Sequence, residues 1–402
     1  MTFYSYIAVF LMFLVSGTVF GSMLHASVFI YIFFIYSIFF AFKSKIKYGH
    51  KELIFFGIYS LCLLCSCLFV GEYESNSFNM VIGFLLLATG ALNIMQSIDY
   101  NKFRYIYLNI ATFIAFTSII LFLLQQQNLI PLHIEEKAGV RYLMFLYNNF
   151  GWDYPFDRLA GPYWEPGAFQ IILNYVLIMY FNEICNFSFS VPYGKLKILI
   201  IIAALLMTQS TAGYINLFIL IVITVLNMKM TKKTFMKAIF IGIALIAAAF
   251  FLLSSETYTE KMSQKGSDNT SYEIRKMDNL AMLQMTMERP ILGYGINSPA
   301  FRNRGKHLGN ITSSNGLLAL SSQLGCIFLL FFCLALYSRL KKFYPQKRFL
   351  VFFLLLMLQA TEVFVFFPIA FIFFFAKIKM DKISQENQYE LENSIPEGNN
   401  NI

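Results

Sequence analysis

The chain has 402 residues, of which 58% are hydrophobic and only 13% charged, with 46 Phe, 24 Tyr, a formal charge of +9 and a mean hydropathy of +0.61. Soluble domains carry about 25% charged residues, and a water-soluble monomer this apolar would expose greasy patches that such proteins avoid. A cytosolic enzyme, a secreted disulfide scaffold and a disordered chain are excluded, which leaves a polytopic membrane protein.

A helix needs about 20 apolar residues to cross the hydrocarbon core. In chain order such runs fall near 3–20, 24–42, 53–70, 80–98, 106–124, 167–184, 238–253 and 313–337. Two longer runs, 196–228 and 349–376, are each interrupted by polar residues, at Thr208-Gln209-Ser210-Thr211-Ala212-Gly213 and at Gln359-Ala360-Thr361-Glu362. Cytoplasmic loops collect Lys and Arg, so the Lys-rich stretch 43–51 is expected inside. Alternation from there requires both long runs to go out and return as tight hairpins, because basic clusters flank each of them. The expected fold is all-α, with twelve spans and both termini cytoplasmic. A single membrane domain covers 1–380, two large external loops with amphipathic helices cover about 125–166 and 254–312, and a polar cytoplasmic tail covers 381–402. This arrangement puts 20 of the 31 Lys and Arg in cytoplasmic segments and none inside a span.

The basic charge therefore reports topology, and no nucleic-acid partner is expected. The six cysteines lie in or beside apolar runs without a second pair at zinc spacing, and only four His are present. They read as small buried hydrophobes, with no metal and no cofactor implied. The first apolar run lacks a basic leader and continues into another span, so a cleavable signal is not expected.

Loops longer than about 15 residues are usually functional or disordered, and both external loops carry aromatics and helix signals. In the second, Thr270-Ser271-Tyr272-Glu273 reads as a capping box. Ile274, Met277, Leu280, Ala281, Leu283 and Met287 follow at helical spacing until Pro290, as in an amphipathic helix lying on the membrane or on the bundle. The turn-rich Gly293-Tyr294-Gly295-Ile296-Asn297-Ser298-Pro299 precedes Arg302, Arg304, Lys306 and His307. These cations read either as a solvated loop or as a clamp for an anionic substrate such as a diphosphate, which Arg binds in bidentate fashion. The first loop ends in Asp157-Arg158-Leu159-Ala160-Gly161-Pro162-Tyr163-Trp164-Glu165-Pro166-Gly167. Arg158 and Glu165 at the membrane edge form either a structural pair or a functional one. Tyr163 and Trp164 read as interface anchors or as a sugar platform. Inside the spans Glu362 is the clear acidic exception, and the hairpin bend is its expected home.

Assembled in order, these stretches resemble the Wzy-type O-antigen and capsular polysaccharide polymerases, relatives of the O-antigen ligases. Arg158 to Pro166 is similar to an R-x-x-G-x-x-x-E-P element before a span. The 208–213 break is similar to T-x-S-R-x-G, with Thr211 where Arg is frequent. Arg289-Pro290-Ile-Leu-Gly293-Tyr-Gly295 is similar to P-x-x-G-x-G. Ser314-Asn315-Gly316-Leu317-Leu318 with Gln323-Leu324-Gly325 is similar to H-N-x-x-L…E-x-G, with Ser314 for the His held to be catalytic in ligases and Gln323 for the Glu.

The resemblance implies a glycosyltransferase-C-like bundle in the cytoplasmic (inner) membrane of a bacterium. It implies metal-independent transfer of a growing glycan from undecaprenyl diphosphate to the terminal sugar hydroxyl of another lipid-linked repeat unit, outside the membrane. The implied partners are the undecaprenyl-diphosphate-linked oligosaccharide, membrane lipid, and the chain-length regulator and flippase of the same pathway. Arg158 with Arg302 or Arg304 are the expected clamps, with Tyr163, Trp164 and Asn315 in the substrate-binding set. Glu165 or His307 is the expected base. A lipid-linked oligosaccharide flippase or other transporter, an O-antigen ligase and a non-catalytic partner of an export machine remain as alternatives.

Overall fold

The computed structural model describes residues 2–19, 26–70, 74–127, 129, 140–144, 147–150, 158–226, 271–309 and 315–378. The expected span 238–253, the start of the second long loop and the tail 381–402 lie outside them. In chain order the helices are α1 Thr2–Leu14, α2 Ala26–Ser44, α3 His50–Cys65 (prolonged by a π-turn, Ser66–Val70), α4 Ser75–Ser97 and α5 Tyr100–Gln126. An antiparallel ribbon, β1 Val140–Met144 with β2 Tyr147–Phe150, stands in the first long loop, where an amphipathic helix was expected. Then come α6 Pro166–Met179, α7 Phe181–Asn186, α8 Gly194–Met207, α9 Thr211–Leu226, α10 Ser271–Glu288, α11 Pro299–His307, α12 Gly316–Leu324, α13 Cys326–Leu340 and α14 Arg348–Gln359. A 3-10 turn at Pro368–Phe371 leads into the short α15, Ile372–Phe375.

Among the described residues, four helices are long and apolar enough to cross a membrane: Ser27–Ser44, His50–Leu68, Ser75–Ser97 and Tyr100–Gln126. Twelve spanning helices are not reached among the described residues, and two breaks explain part of the difference. The run 313–337 is split at Gly325, whose φ of +89° no helix accommodates. The second limb of 349–376 is a 3-10 turn and a single helical turn, not a spanning helix.

Both long runs double back. Leu159 N–H and Arg158 meet the carbonyls of 207–209 at the end of α8, whereas Lys197 near its start reaches Asn109. α9 then returns until Thr224 meets Cys185 of α7. In the last run, Thr361 lies beside Gln170 near the start of α6, and Phe375 accepts from Gln96 at the end of α4.

Irregular backbone survives at membrane depth only when protein surrounds it, and Pro368–Ala376 is buried throughout. Its phenylalanines form the centre of the bundle. Phe374 stacks on Phe55 with ring centroids 4.3 Å apart and meets Phe332 at 4.8 Å, while Phe371 meets Tyr59 edge-on at 5.1 Å. The carbonyls left at the end of α15 have assigned donors. Gln96 Nε2 reaches Phe375 O at 2.6 Å, Tyr100 N–H reaches Lys377 O at 2.8 Å, and Arg339 reaches Ala376 O at 3.3 Å while pairing with the Glu52 carboxylate.

Glu52 and Arg339 are both largely buried, with side chains 9% and 14% exposed. Removing one partner of a buried pair strands the other charge, at a cost of about 3–5 kcal/mol. Arg339→Ala is therefore expected to lower stability by that order in detergent unfolding titrations. The double change Arg339→Leu with Glu52→Leu is expected to recover most of the loss, and an additive loss would contradict the assignment.

Candidate active site

The end of the bundle opposite the Arg339 knot carries the polar breaks, and four segments distant in sequence meet there. Arg158 opens the first. Its Nε donates to Thr208 O at 3.2 Å and its Nη2 to Gln209 O at 3.3 Å, while Leu159 N–H donates to Met207 O at 2.9 Å. These carbonyls end α8, where the helix dipole is negative and favours a cation. Gln209 takes a left-handed φ of +47° to turn the chain, and Ser210 Oγ faces Gly213 N–H at the start of α9. Burial pulls the Arg158 guanidinium below its ordinary value. Neighbouring Glu165 opposes that shift, Arg275 adds to it, and Tyr214 and Glu362 oppose it.

Glu165 precedes Pro166 at the first position of α6, a placement that suits proline's missing N–H. Gly167 lies in the next turn, where a methyl group would sit 2.7 Å from Glu362 Oε1 and 3.2 Å from Glu165 Oε1. Two carboxyl groups distant in sequence thus crowd one glycine. The bend 360–367, outside the helical limbs, brings Glu362 there. Arg275 of α10 donates to Glu362 Oε1 at 3.0 Å and to Thr361 O at 3.5 Å. Thr361 Oγ1 in turn accepts from Gln170, which accepts from Asn174 at 2.9 Å. Burial raises the Glu362 carboxyl well above the usual range. A hydrogen bond with Glu165 and its charge raise it further, and Arg275 opposes both.

The predicted residues divide between this cluster and a second one. Arg158 and Glu165 belong to the first. Arg302 of α11 pairs with Glu74 just before α4, and Ser77 beside it donates to Asn297 O at 2.8 Å. Arg304 grips Glu288 with two nitrogens, Nε at 2.9 Å, and Tyr294 O–H donates to the same carboxylate. These ion pairs brace the second loop against α4 and α10. His307 ends α11 as an exposed residue of its last turn. Asn315 caps α12, its side-chain oxygen accepting from Leu317 and Leu318 N–H, both at 3.1 Å. That atom is occupied by the helix end.

Tyr163 is fully buried and stacks on Phe169, so its ring packs the core instead of offering a sugar platform. Trp164 stacks on Phe364 at 5.2 Å and presses on Gly17. Arg275 and Glu362 were missed as site residues. Arg275 lies within the amphipathic stretch, and Glu362 had an unusual position but no visible partner.

Two of the sequence elements interlock. Gly293 and Gly325 both take positive φ, and a methyl group on either would strike the other strand's backbone, at 2.4 Å from Gln323 C and 2.0 Å from Ile291 O. Tyr294 and Gly295 N–H donate to Ser322 and Gln323 carbonyls, and Cys326 N–H to Pro290 O. Gln323 Oε1 accepts from Asn297 N–H at 3.0 Å, a role for which an amide suffices. α10 lies on α12 and buries Asp278, Ala281, Met282, Met285 and Thr286, while Ile274, Met277, Leu280, Leu283 and Met287 are exposed. Apart from Ala281, the expected apolar stripe faces away from the described bundle. Thr270, the start of the expected capping box, and Ser314 lie outside the described residues.

A family model described as O-antigen ligase matches residues 196–318, which run from α8 through α10 and α11 into the start of α12. Over that stretch the chain is similar to the O-antigen ligase family. The match does not separate a polymerase from a ligase. It includes Thr208, Gln209 and Arg275, whereas Arg158, Glu165 and Glu362 reach the cluster from outside the matched range. No curated protein and no solved structure matches the chain.

Arg304 and Tyr294 hold the Glu288 carboxyl down to about 2. An unfolded Glu titrates near 4.3. A depressed carboxyl contributes stability that is complete above the unfolded value and fades as protons bind in the folded state. The brace is therefore expected to loosen as pH falls from about 4 to about 2, read as faster hydrogen exchange across 289–307. Glu288→Gln is expected to show fast exchange already at neutral pH, without that acid step.

Proposed function

We propose that this membrane enzyme is a polysaccharide polymerase. It transfers a growing glycan from undecaprenyl diphosphate to the terminal sugar hydroxyl of a lipid-linked repeat unit, on the external face of a bacterial cytoplasmic membrane. The observation that carries this reading is the meeting of two arginines, Arg158 and Arg275, with two carboxyls at one end of an apolar bundle. The family match supplies the coarser frame, a multi-pass membrane protein of polysaccharide assembly acting on lipid-linked oligosaccharides.

In the proposed reaction the acceptor hydroxyl oxygen bonds to the anomeric carbon and the bond from that carbon to the bridging phosphate oxygen breaks. Its electron pair leaves with the lipid diphosphate. Positive groups aimed at that oxygen stabilise the charge it gains, a task for Arg158 and Arg275. Planar guanidinium groups suit phosphate oxygens in bidentate geometry. Glu165 lies within the cluster to take the hydroxyl proton as general base. The energy resides in the donor's phosphoester bond, so no nucleotide is required. Arg302 and Arg304, already paired with Glu74 and Glu288, serve as loop braces in this reading, and the exposed His307 is the weaker candidate base.

Ser314, where ligases carry the His held to be catalytic, favours polymerase over ligase. Loss of one transition-state charge contact costs about 10²–10³-fold in rate. Arg158→Ala and Arg275→Ala in cells are each expected to abolish high-molecular-weight polysaccharide while single-repeat glycolipid persists. Normal chain lengths in both variants would sink the reading. Repeat units trapped on the inner leaflet would identify a flippase, and full-length polymer left on its lipid carrier would identify a ligase.

A further inference from the structure

The crowding of Glu165 and Glu362 around Gly167 poses a question of charge that the arginines alone do not answer. Two ionised carboxylates cannot hydrogen-bond to each other, because neither has a hydrogen to give; a carboxyl pair in contact holds a proton. Glu362 is buried at 7% exposure, and its Oε1 and that of Glu165 both crowd the position of a methyl group on Gly167, at 2.7 and 3.2 Å. Its Oε1 accepts from Arg275, a bond a protonated acid can accept while its hydroxyl donates to Glu165. The charged groups facing the pair are Arg158 from the loop before α6 and Arg275 from α10, with Tyr214 of α9 beside Arg158. Lys276 and Asp278 follow within a turn on α10.

The total charge of this mouth depends on one proton. Arg158 and Arg275 bring two positive charges. With both acids ionised they are cancelled, and a diphosphate would meet a neutral site. With one proton held between the acids, the site is left with a net single positive charge. We infer that Glu165 and Glu362 share a single proton, and that this proton keeps the Arg158–Arg275 mouth cationic so that it binds a diphosphate group. Glu362 is in this sense a positioning residue: it sets the charge of the mouth and orients Arg275, while Glu165 faces the acceptor hydroxyl. The inference rests on the diphosphate reading of the site and adds to it a resident proton that Arg158 and Arg275 do not themselves require.

Two measurements on the purified full-length protein in detergent test it. In infrared spectra at neutral pH, compared between light and heavy water, the wild type is expected to show a protonated carboxylic carbonyl band. Glu362→Gln removes the band by removing the acid. Glu165→Gln removes it as well, because Glu362 then ionises against Arg275. Glu288→Gln, which removes an ionised acid elsewhere, keeps it. A wild type without the band, or a band that survives both Glu165→Gln and Glu362→Gln, overturns the shared proton.

Pyrophosphate binding by calorimetry from neutral to alkaline pH tests the consequence. Relative to Glu362→Gln, wild-type affinity is expected to fall roughly tenfold as the shared proton is lost, about 1.4 kcal/mol. A ratio that stays constant with pH overturns the link between proton and binding. If the infrared result holds and wild-type protein binds no pyrophosphate at any pH, the diphosphate reading itself fails while the proton count stands.

Discussion

A guanidinium nearly withdrawn from water needs acceptors on every side, and Arg158 obtains them by ending a helix. The carbonyls of Thr208 and Gln209 are unsatisfied because α8 stops there, and a helix C-terminus carries partial negative charge. That one capture fixes the loop before α6 against the turn between α8 and α9. Glu165 follows beside Gly167, and Gln170 and Arg275 hold the bend at Glu362 in the same small volume.

The bundle interior explains why such a bend is tolerated. The limb 368–376 has little regular helix, a conformation that lipid would penalise heavily. It lies inside the protein, with Phe371 and Phe374 among the aromatics of α3 and α13 and its terminal carbonyls satisfied by Gln96, Arg339 and Tyr100 N–H. The chain thus places an acid at one end of the bundle and ties down the same limb at the other. Charge at the site and stability at the opposite end are carried by one short piece of backbone.

Much of this was legible in the sequence, and the failures have physical causes. Apolar runs located the helices, because burying or immersing a side chain imposes the same demand on composition. They did not reveal the break at Gly325, since Leu324 and Cys326 continue the apolar pattern and only the contact with Ile291 forces the turn. Arg158 and Glu165 were readable because charges at a membrane edge are costly without a purpose. Arg275 was not, because a charge on an amphipathic helix is ordinary until its partner is known, and that partner lies 87 residues away. Arg302 and Arg304 drew attention as a cluster without acids nearby in sequence. Their acids are Glu74, just before α4, and Glu288, the last residue of α10.

The interlocked glycines carry a consequence for the order of assembly. Pro290–Gly295 and Ser322–Cys326 are close in sequence, so the loop they close costs little chain entropy, whereas joining Arg158, Arg275 and Glu362 closes much larger ones. Local contacts form early and distant ones late. The contacts that join α10 to α12 are thus local, and only the Arg302–Glu74 and Ser77–Asn297 contacts of this brace reach back to α4. A nascent chain that has not yet delivered residue 362 holds both arginines and only half of the acid pair, and the site becomes whole when the last buried limb slides into the bundle.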